Sequence, residues 1–157
     1  LFAEGSYASG RAQIMFFPLR IPGTPVVTVL TSGTSWTVPA NWNSGDNTIE
    51  CIGGGGKGGA SMANGGSHNS GGGGGGGGYS KIANLALTGG ANISYQIGVG
   101  GTGAGGSGTD SWFKDTSTVV AKGGAGTNSK NGGAGGLASN GVGTIKYSGG
   151  NGGSATS

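Results

Sequence analysis

The side chains able to do chemistry are few and scattered. The single histidine, His68, lies in the polar stretch Asn64–Ser70. A histidine can take or give a proton near neutral pH, but catalysis also needs a nucleophile and an orienting partner, and this stretch offers no plausible set. The five acids are Glu4, Asp46, Glu50, Asp110 and Asp115. Asp110 and Asp115 flank Trp112-Phe113 and would form a glycosidase pair only at the right separation and with their pKa values split. Thr109–Lys114 reads instead as a surface loop. Cys51 is alone, so no disulfide framework exists. Beside Ile49 and Ile52 it reads as a small buried residue. Asn92-Ile93-Ser94 is a glycosylation sequon within an expected strand and carries little weight there.

Glycine-containing motifs offer further chemistry, and each fails its context. Gly98-Val99-Gly100-Gly101-Thr102-Gly103 matches the dinucleotide fingerprint, yet no helical pattern follows and glycine is common enough here to produce the match by chance. Lys57 follows four glycines, but Gly58 stands where a phosphate loop needs Ser or Thr. No G-x-S-x-G elbow exists. Gly123–Asn131 (GGAGTNSKN) and Gly132–Asn140 (GGAGGLASN) share a nine-residue register. A calcium-binding β-roll would need Asp at the sixth position, which holds Asn128 and Leu137, and a hard cation has poor ligands without carboxylates. The reading is therefore no enzyme, no metal and no cofactor.

The elements that would position any site are set by composition. Glycine supplies 43 of 157 residues, roughly fourfold the usual share of about 7%. Leu, Ile, Val and Phe total only 26, while the formal charge is +3. Low apolar content suggests disorder, but the high net charge that completes that signature is missing. Collagen is excluded because the prolines all precede residue 40 and glycine keeps no strict period of three. The longest apolar run, Ile14–Leu19, is too short to span a membrane. The basic residues are scattered, so the pI of 9.2 reflects few acids and does not point to nucleic acid. Leu1 stands in place of Met and no signal-peptide layout follows. The numbering is thus expected to begin inside a longer chain or after processing.

Two regions are expected: an N-terminal arm over 1–25 and one glycine-rich β domain over 26–157. Ile14, Met15, Phe16 and Phe17 form an apolar run that either packs on the domain's own core or docks on a neighbouring subunit. Residues 26–52 read as two or three antiparallel strands, at Val26–Leu30, Ser35–Val38 and Thr48–Ile52, joined by tight turns. Ile93, Tyr95, Ile97 and Val99 recur with period two, the mark of one buried strand face. Thr118–Ala121 and Thr144–Tyr147 are shorter versions.

Residues 53–153 hold 38 of the glycines. A run such as Gly71–Gly78 would be a flexible linker in isolation. Glycine also lets backbones approach to contact, and extended helices with three residues per turn point their amides sideways. Packed side by side, such helices can satisfy one another's peptide groups. Aromatic and β-branched residues punctuate the glycine blocks, which a linker would not need. The expected fold is all-β with irregular glycine-rich structure: an antiparallel, β-sandwich-like scaffold joined to packed polyglycine-II-type segments.

The order of motifs carries a resemblance. Thr34–Pro39 (TSWTVP) is followed by Thr48–Gly56 (TIECIGGGG), the long glycine block with Tyr79, Leu87–Gly90 (LTGG), Ile93–Gly101 (ISYQIGVGG), Ser111–Phe113 (SWF) and Ala121–Gly124 (AKGG). Over residues 31–153 this resembles the glycine-rich domain of bacteriophage tail-fibre and virion proteins. The resemblance implies a virion component on the particle surface with no enzyme activity and no membrane insertion. Its implied partners are other virion proteins or copies of itself through the arm, and a host surface glycan or outer-membrane protein. Receptor contact is expected from loops: Asn64, Ser67, His68 and Asn69; Trp112 and Phe113, unless these cap the glycine bundle; and Asn128 and Lys130, with Leu137–Asn140. The other expectation is a purely structural fibre shaft or capsid decoration.

Overall fold

Alternation of inward and outward side chains builds the strands. The computed structural model describes residues 25–60, 62–64 and 67–156. Nine strands occur among them: β1 (Ser35–Thr37), β2 (Thr48–Ile52), β3 (Met62–Asn64), β4 (Ser67–Asn69), β5 (Tyr79–Ala83), β6 (Asn92–Gln96), β7 (Ser111–Phe113), β8 (Val119–Ala121) and β9 (Ile145–Tyr147). A single 3-10 turn covers Ala138–Asn140. Every strand pairing is antiparallel, so the fold is all-β. Among the described residues no helix is long and apolar enough to cross a membrane.

One sheet has the order β1-β6-β7-β8, a second β2-β5-β9, and β3-β4 form a separate hairpin. The two larger sheets share one apolar core. Cys51 on β2 meets Tyr95 on β6, Phe113 on β7 and Val119 and Ala121 on β8, with Trp36, Ile49, Ile82, Ile93 and Ile97 packed around them. Trp36 stands edge-on to Phe113, with ring centroids 5.8 Å apart. Tyr95 keeps its polar end satisfied, its hydroxyl donating to the Ser32 carbonyl at 2.6 Å.

Several expectations need correction. β1 and β2 exist but do not pair with each other: β1 pairs β6 and β2 pairs β5. Turns at Pro39–Trp42 and Asn43–Asp46 lie between β1 and β2, and the chain passes from one sheet to the other. Val26–Leu30 is no strand. Val26, Val27 and Val29 are 87%, 82% and 75% exposed, because no sheet edge lies beside them. Val99 is exposed, unlike Ile93, Tyr95 and Ile97, since the chain leaves the sheet after β6. Thr109–Lys114 is no loop: it contains β7, an inner strand of the four-stranded sheet. The apolar run Ile14–Phe17 lies outside the described residues.

The glycine blocks form seven extended segments: 53–59, 71–78, 98–101, 106–109, 122–127, 132–136 and 149–153. Their backbone hydrogen bonds recur every third residue. The N–H groups of Gly53, Gly56 and Gly59 donate to Gly78, Gly75 and Gly72. Those of Gly54 and Lys57 turn to a different neighbour, Thr109 and Gly106. Gly73 and Gly76 donate to Gly153 and Gly150, and accept from Gly133 and Gly136. Tracing all such partners gives two staggered rows: 98–101, 53–59, 71–78 and 149–153 in one, and 106–109, 122–127 and 132–136 in the other. Buried peptide groups are thereby paired without a side-chain core.

Candidate functional site

Connectivity fixes which loops meet. β2 runs straight into segment 53–59, and segment 71–78 returns into β5. In the same way β6 leads out through 98–101 and 106–109 leads back to β7, while β8 leads out through 122–127. All outgoing segments therefore leave the strand ends in one direction. The hairpin β3-β4 and the connections at 102–105 and 128–131 leave the segments at this far end, with residues 154–156.

Hydrogen bonds tie this end together. Gly59 donates to Gly72 and Gly72 to Ser129, both at 2.8 Å, and Ala155 donates to Lys130 at 2.8 Å. The 127–131 turn is locked by its own hydroxyls: Thr127 Oγ1 donates to the Asn131 carbonyl at 2.8 Å and accepts from the Ser129 N–H at 3.1 Å. Such hydroxyl-to-backbone bonds are what Ser and Thr contribute to turns. Gly103 and Gly105 both have φ of +67°, a left-handed conformation that suits glycine. The Asn128 side chain lies directly over Gly105, so a Cβ there would collide with it.

Of the expected contact residues, Asn64, Ser67, His68 and Asn69 lie on the hairpin β3-β4, whose connection starts from Gly59 and returns at Gly72, next to Ser129 between Asn128 and Lys130. In the hairpin, Asn64 is opposite Ser67 and His68 opposite Ala63. Trp112 and Phe113 do not join them. They sit in β7, where Phe113 is 5% exposed and packed in the core. The expectation of an aromatic loop tip is thus overturned: three residues are too few to display a strand period, and β6 and β8 cover both edges of β7. Phe113 does not cap the glycine bundle either, since its ring packs in the core between the sheets. Leu137–Asn140 lies near β9, at the sheet end, with the Ala138 N–H held by the Ser148 hydroxyl at 2.9 Å. Sequence reasoning missed Thr102–Gly105 as a site element. Its signal was Thr102-Gly103-Ala104, a break in the glycine segments.

Asp110 and Asp115 are engaged elsewhere. Burial alone would raise Asp110, but Lys122 and the Gly123 N–H outweigh it and hold its carboxyl below the usual range. The Lys122 ammonium donates to Asp110 Oδ2, and the Gly123 N–H to Oδ1 at 2.9 Å. Asp115 accepts from the Ser117 hydroxyl, the Thr118 hydroxyl and the Ser117 N–H, which lower it to about 2. Each carboxylate thus stabilises its own turn or segment start. Burial pushes the Cys51 thiol up to about 11. Among the described residues no three His, Cys, Asp or Glu side chains cluster as metal ligands. An open depression of about 370 Å³ lies at the sheet end, lined by Ala86, Leu87, Thr88, Ala91, Ile93 and Lys114.

The 127–131 turn thus offers amides, hydroxyls and one lysine on a hydrogen-bonded backbone, chemistry suited to polar recognition. Comparison with family models, curated proteins and solved structures gives no match for this chain.

Proposed function

We propose that this chain is a structural component of a phage virion, a tail-fibre glycine-rich domain whose far-end loops attach to the host surface. In this reading the seven glycine segments are polyglycine-II-type helices, and the two larger sheets form the sandwich-like base that carries them. One observation supports the reading above all: the connections that carry the hairpin β3-β4, 102–105 and 128–131, distant in sequence, start from one end of a hydrogen-bonded scaffold. Loops fixed by a rigid scaffold are the usual carriers of recognition. The ordered motifs over residues 31–153 supply the resemblance to virion proteins. The partner would be a host surface glycan or an outer-membrane protein, and no catalysis is proposed.

The test is attachment of the recombinant chain to host cells. Asn128→Ala combined with Lys130→Glu should reduce attachment, while Asn140→Ala at the sheet end should not. Equal attachment by both variants and wild type would overturn the reading. A second reading, a virion part that binds no receptor, draws on the exposed Val26, Val27 and Val29, which continue from the N-terminal arm and suit a docking contact. It expects incorporation into particles to depend on these valines and attachment to be indifferent to the far end.

A further inference from the structure

We propose that one face of this domain docks a second copy of the same chain. The face is defined by register. Ile52, Tyr79 and Tyr147 stand opposite one another across β2, β5 and β9. Ile52 is 68% and Tyr147 64% exposed, and the two tyrosine rings stack with centroids 5.8 Å apart. The same registers run on into the glycine segments, where Gly56 donates to Gly75 and Gly76 to Gly150. Stepping by three residues, the next row is Gly55, Gly76 and Gly150, and the row after it Gly58, Gly73 and Gly153. An apolar band thus continues into a pavement without side chains, and none of the nine positions is charged. The Lys81–Glu50 ion pair, 3.4 Å long, borders the band.

Internal packing explains only part of this pavement: a Cβ at Gly58 or Gly73 would come within 3.1 or 3.2 Å of neighbouring backbone, but the other four positions are open. A Cβ at Gly150 or Gly153 would meet nothing within 4 Å, and one at Gly55 or Gly76 would come no closer than 3.6 or 3.4 Å to any atom. The outward positions of the opposite row do carry side chains, Ala125, Asn128, Ala134 and Leu137. The main chain of the pavement is also unpartnered. Among the described residues none accepts from the N–H of Gly55, Gly58, Gly74 or Gly77. The Gly71 N–H at the segment start likewise has no acceptor among the described residues, and the remaining N–H groups of segments 53–59 and 71–78 point to neighbouring segments, so the unpartnered ones point to the open side.

A surface with bare backbone and free donors at every third residue matches the contact the two rows already make with each other. A partner whose own contact face is bare backbone approaches these donors most closely, as the glycine segments of the two rows do. A second copy presenting the same face meets the requirement, and an isologous pair with two-fold symmetry follows. Stacked tyrosines and Ile52 add apolar area at one end of the contact.

Sedimentation velocity of the full chain from micromolar to millimolar concentration tests the proposal. A reversible monomer–dimer equilibrium is expected. Gly150→Glu should weaken it by about tenfold or more, with Gly153→Glu as the second variant should the first fail to fold. Ala134→Glu, on the opposite face, should leave it unchanged. Amide exchange at Gly74 and Gly77 should slow as dimer accumulates. A monomer at every concentration, leaving the face to a different protein, would overturn the proposal. So would equal weakening by Ala134→Glu, or a dimer in which the Gly74 and Gly77 amides exchange as in the monomer.

Discussion

The Cα of Gly75 lies so close to the carbonyl oxygen of Ala134 that no side-chain atom fits between them. Gly75 also donates its N–H to the Ala125 carbonyl at 2.9 Å. A side chain here would push apart the two rows that this residue joins. Gly75→Ala is expected to cost at least about 3 kcal/mol through overpacking against rigid backbone. Gly74→Val, whose Cβ would strike the Gly56 carbonyl, should abolish cooperative unfolding. Gly150→Ala, facing open space, should leave stability unchanged or raise it by about 0.4–1 kcal/mol. Thermal melts of the three variants check the contrast, and equal melting temperatures for Gly75→Ala and Gly150→Ala would refute it.

Phe113 is a core residue, so Phe113→Ala is expected to lose about 3–5 kcal/mol. Attachment measured per folded molecule should not change. Denaturant unfolding and cell binding, run on the same preparation, separate these effects.

Ser111 is 5% exposed, and its hydroxyl accepts from the Gly98 N–H at 2.7 Å while donating to the Ile52 carbonyl at 2.6 Å. It stitches β2 and β7 to the start of segment 98–101. Ser111→Ala leaves both backbone groups without their partner, at an expected cost of about 1–3 kcal/mol. Chemical denaturation measures it. A loss of cooperativity at the sheet–segment junction would show as faster exchange of the Gly98 amide.

The Asp115 carboxyl is held at about 2 by the Ser117 and Thr118 donors, below the unfolded value of about 3.9. Its stabilisation is complete above the unfolded pKa and is lost as pH falls through the folded one. Wild-type melting temperature should therefore decline from about pH 4 to pH 2. Asp115→Asn should flatten this part of the profile. An unchanged slope in the variant would remove Asp115 from the account.

Cys51, with its thiol pushed up to about 11, carries almost no thiolate at neutral pH. The thiolate is the reactive form, so labelling by a thiol reagent at pH 7.5 should be slow in the native state and rapid in denaturant. Fast native labelling would show that the core opens around β2.

Local pattern carried much of the fold. The period-two run Ile93-Ser94-Tyr95-Gln96-Ile97 identified β6, because one face of a strand must be apolar wherever it meets a core. Cys51 was legible as buried from its apolar neighbours Ile49 and Ile52. β7 was not legible: Ser111-Trp112-Phe113 is too short to show a period, and two adjacent aromatics read equally well as a loop tip. Val26–Leu30 failed in the opposite direction. Its β-branched residues favour extended backbone, but propensity cannot supply a partner edge. As for the far-end site, polar interruptions marked 64–70 and 127–131 as loops, although Asn64 belongs to β3 and Ser67–Asn69 form β4, while 102–105 passed as part of a glycine block.

The sequence by itself determined the kind of interior this protein has. With 43 glycines and few large apolar residues, only peptide groups are abundant enough to fill most of it, and buried peptide groups must pair with each other. It also determined that strands of alternating pattern would frame the glycine blocks. Tertiary structure alone decided which segment lies beside which. Glycine has no side chain to encode a neighbour, so Gly75 could accept any of several partners in isolation. The choice falls to the strands at the segment ends: β2 pairs β5 and β5 pairs β9, and their registers continue residue by residue into 53–59, 71–78 and 149–153. That inherited register brings Gly72 to Ser129, between Asn128 and Lys130, and sets Ile52, Tyr79 and Tyr147 in one row, neither of which any local sequence pattern specifies.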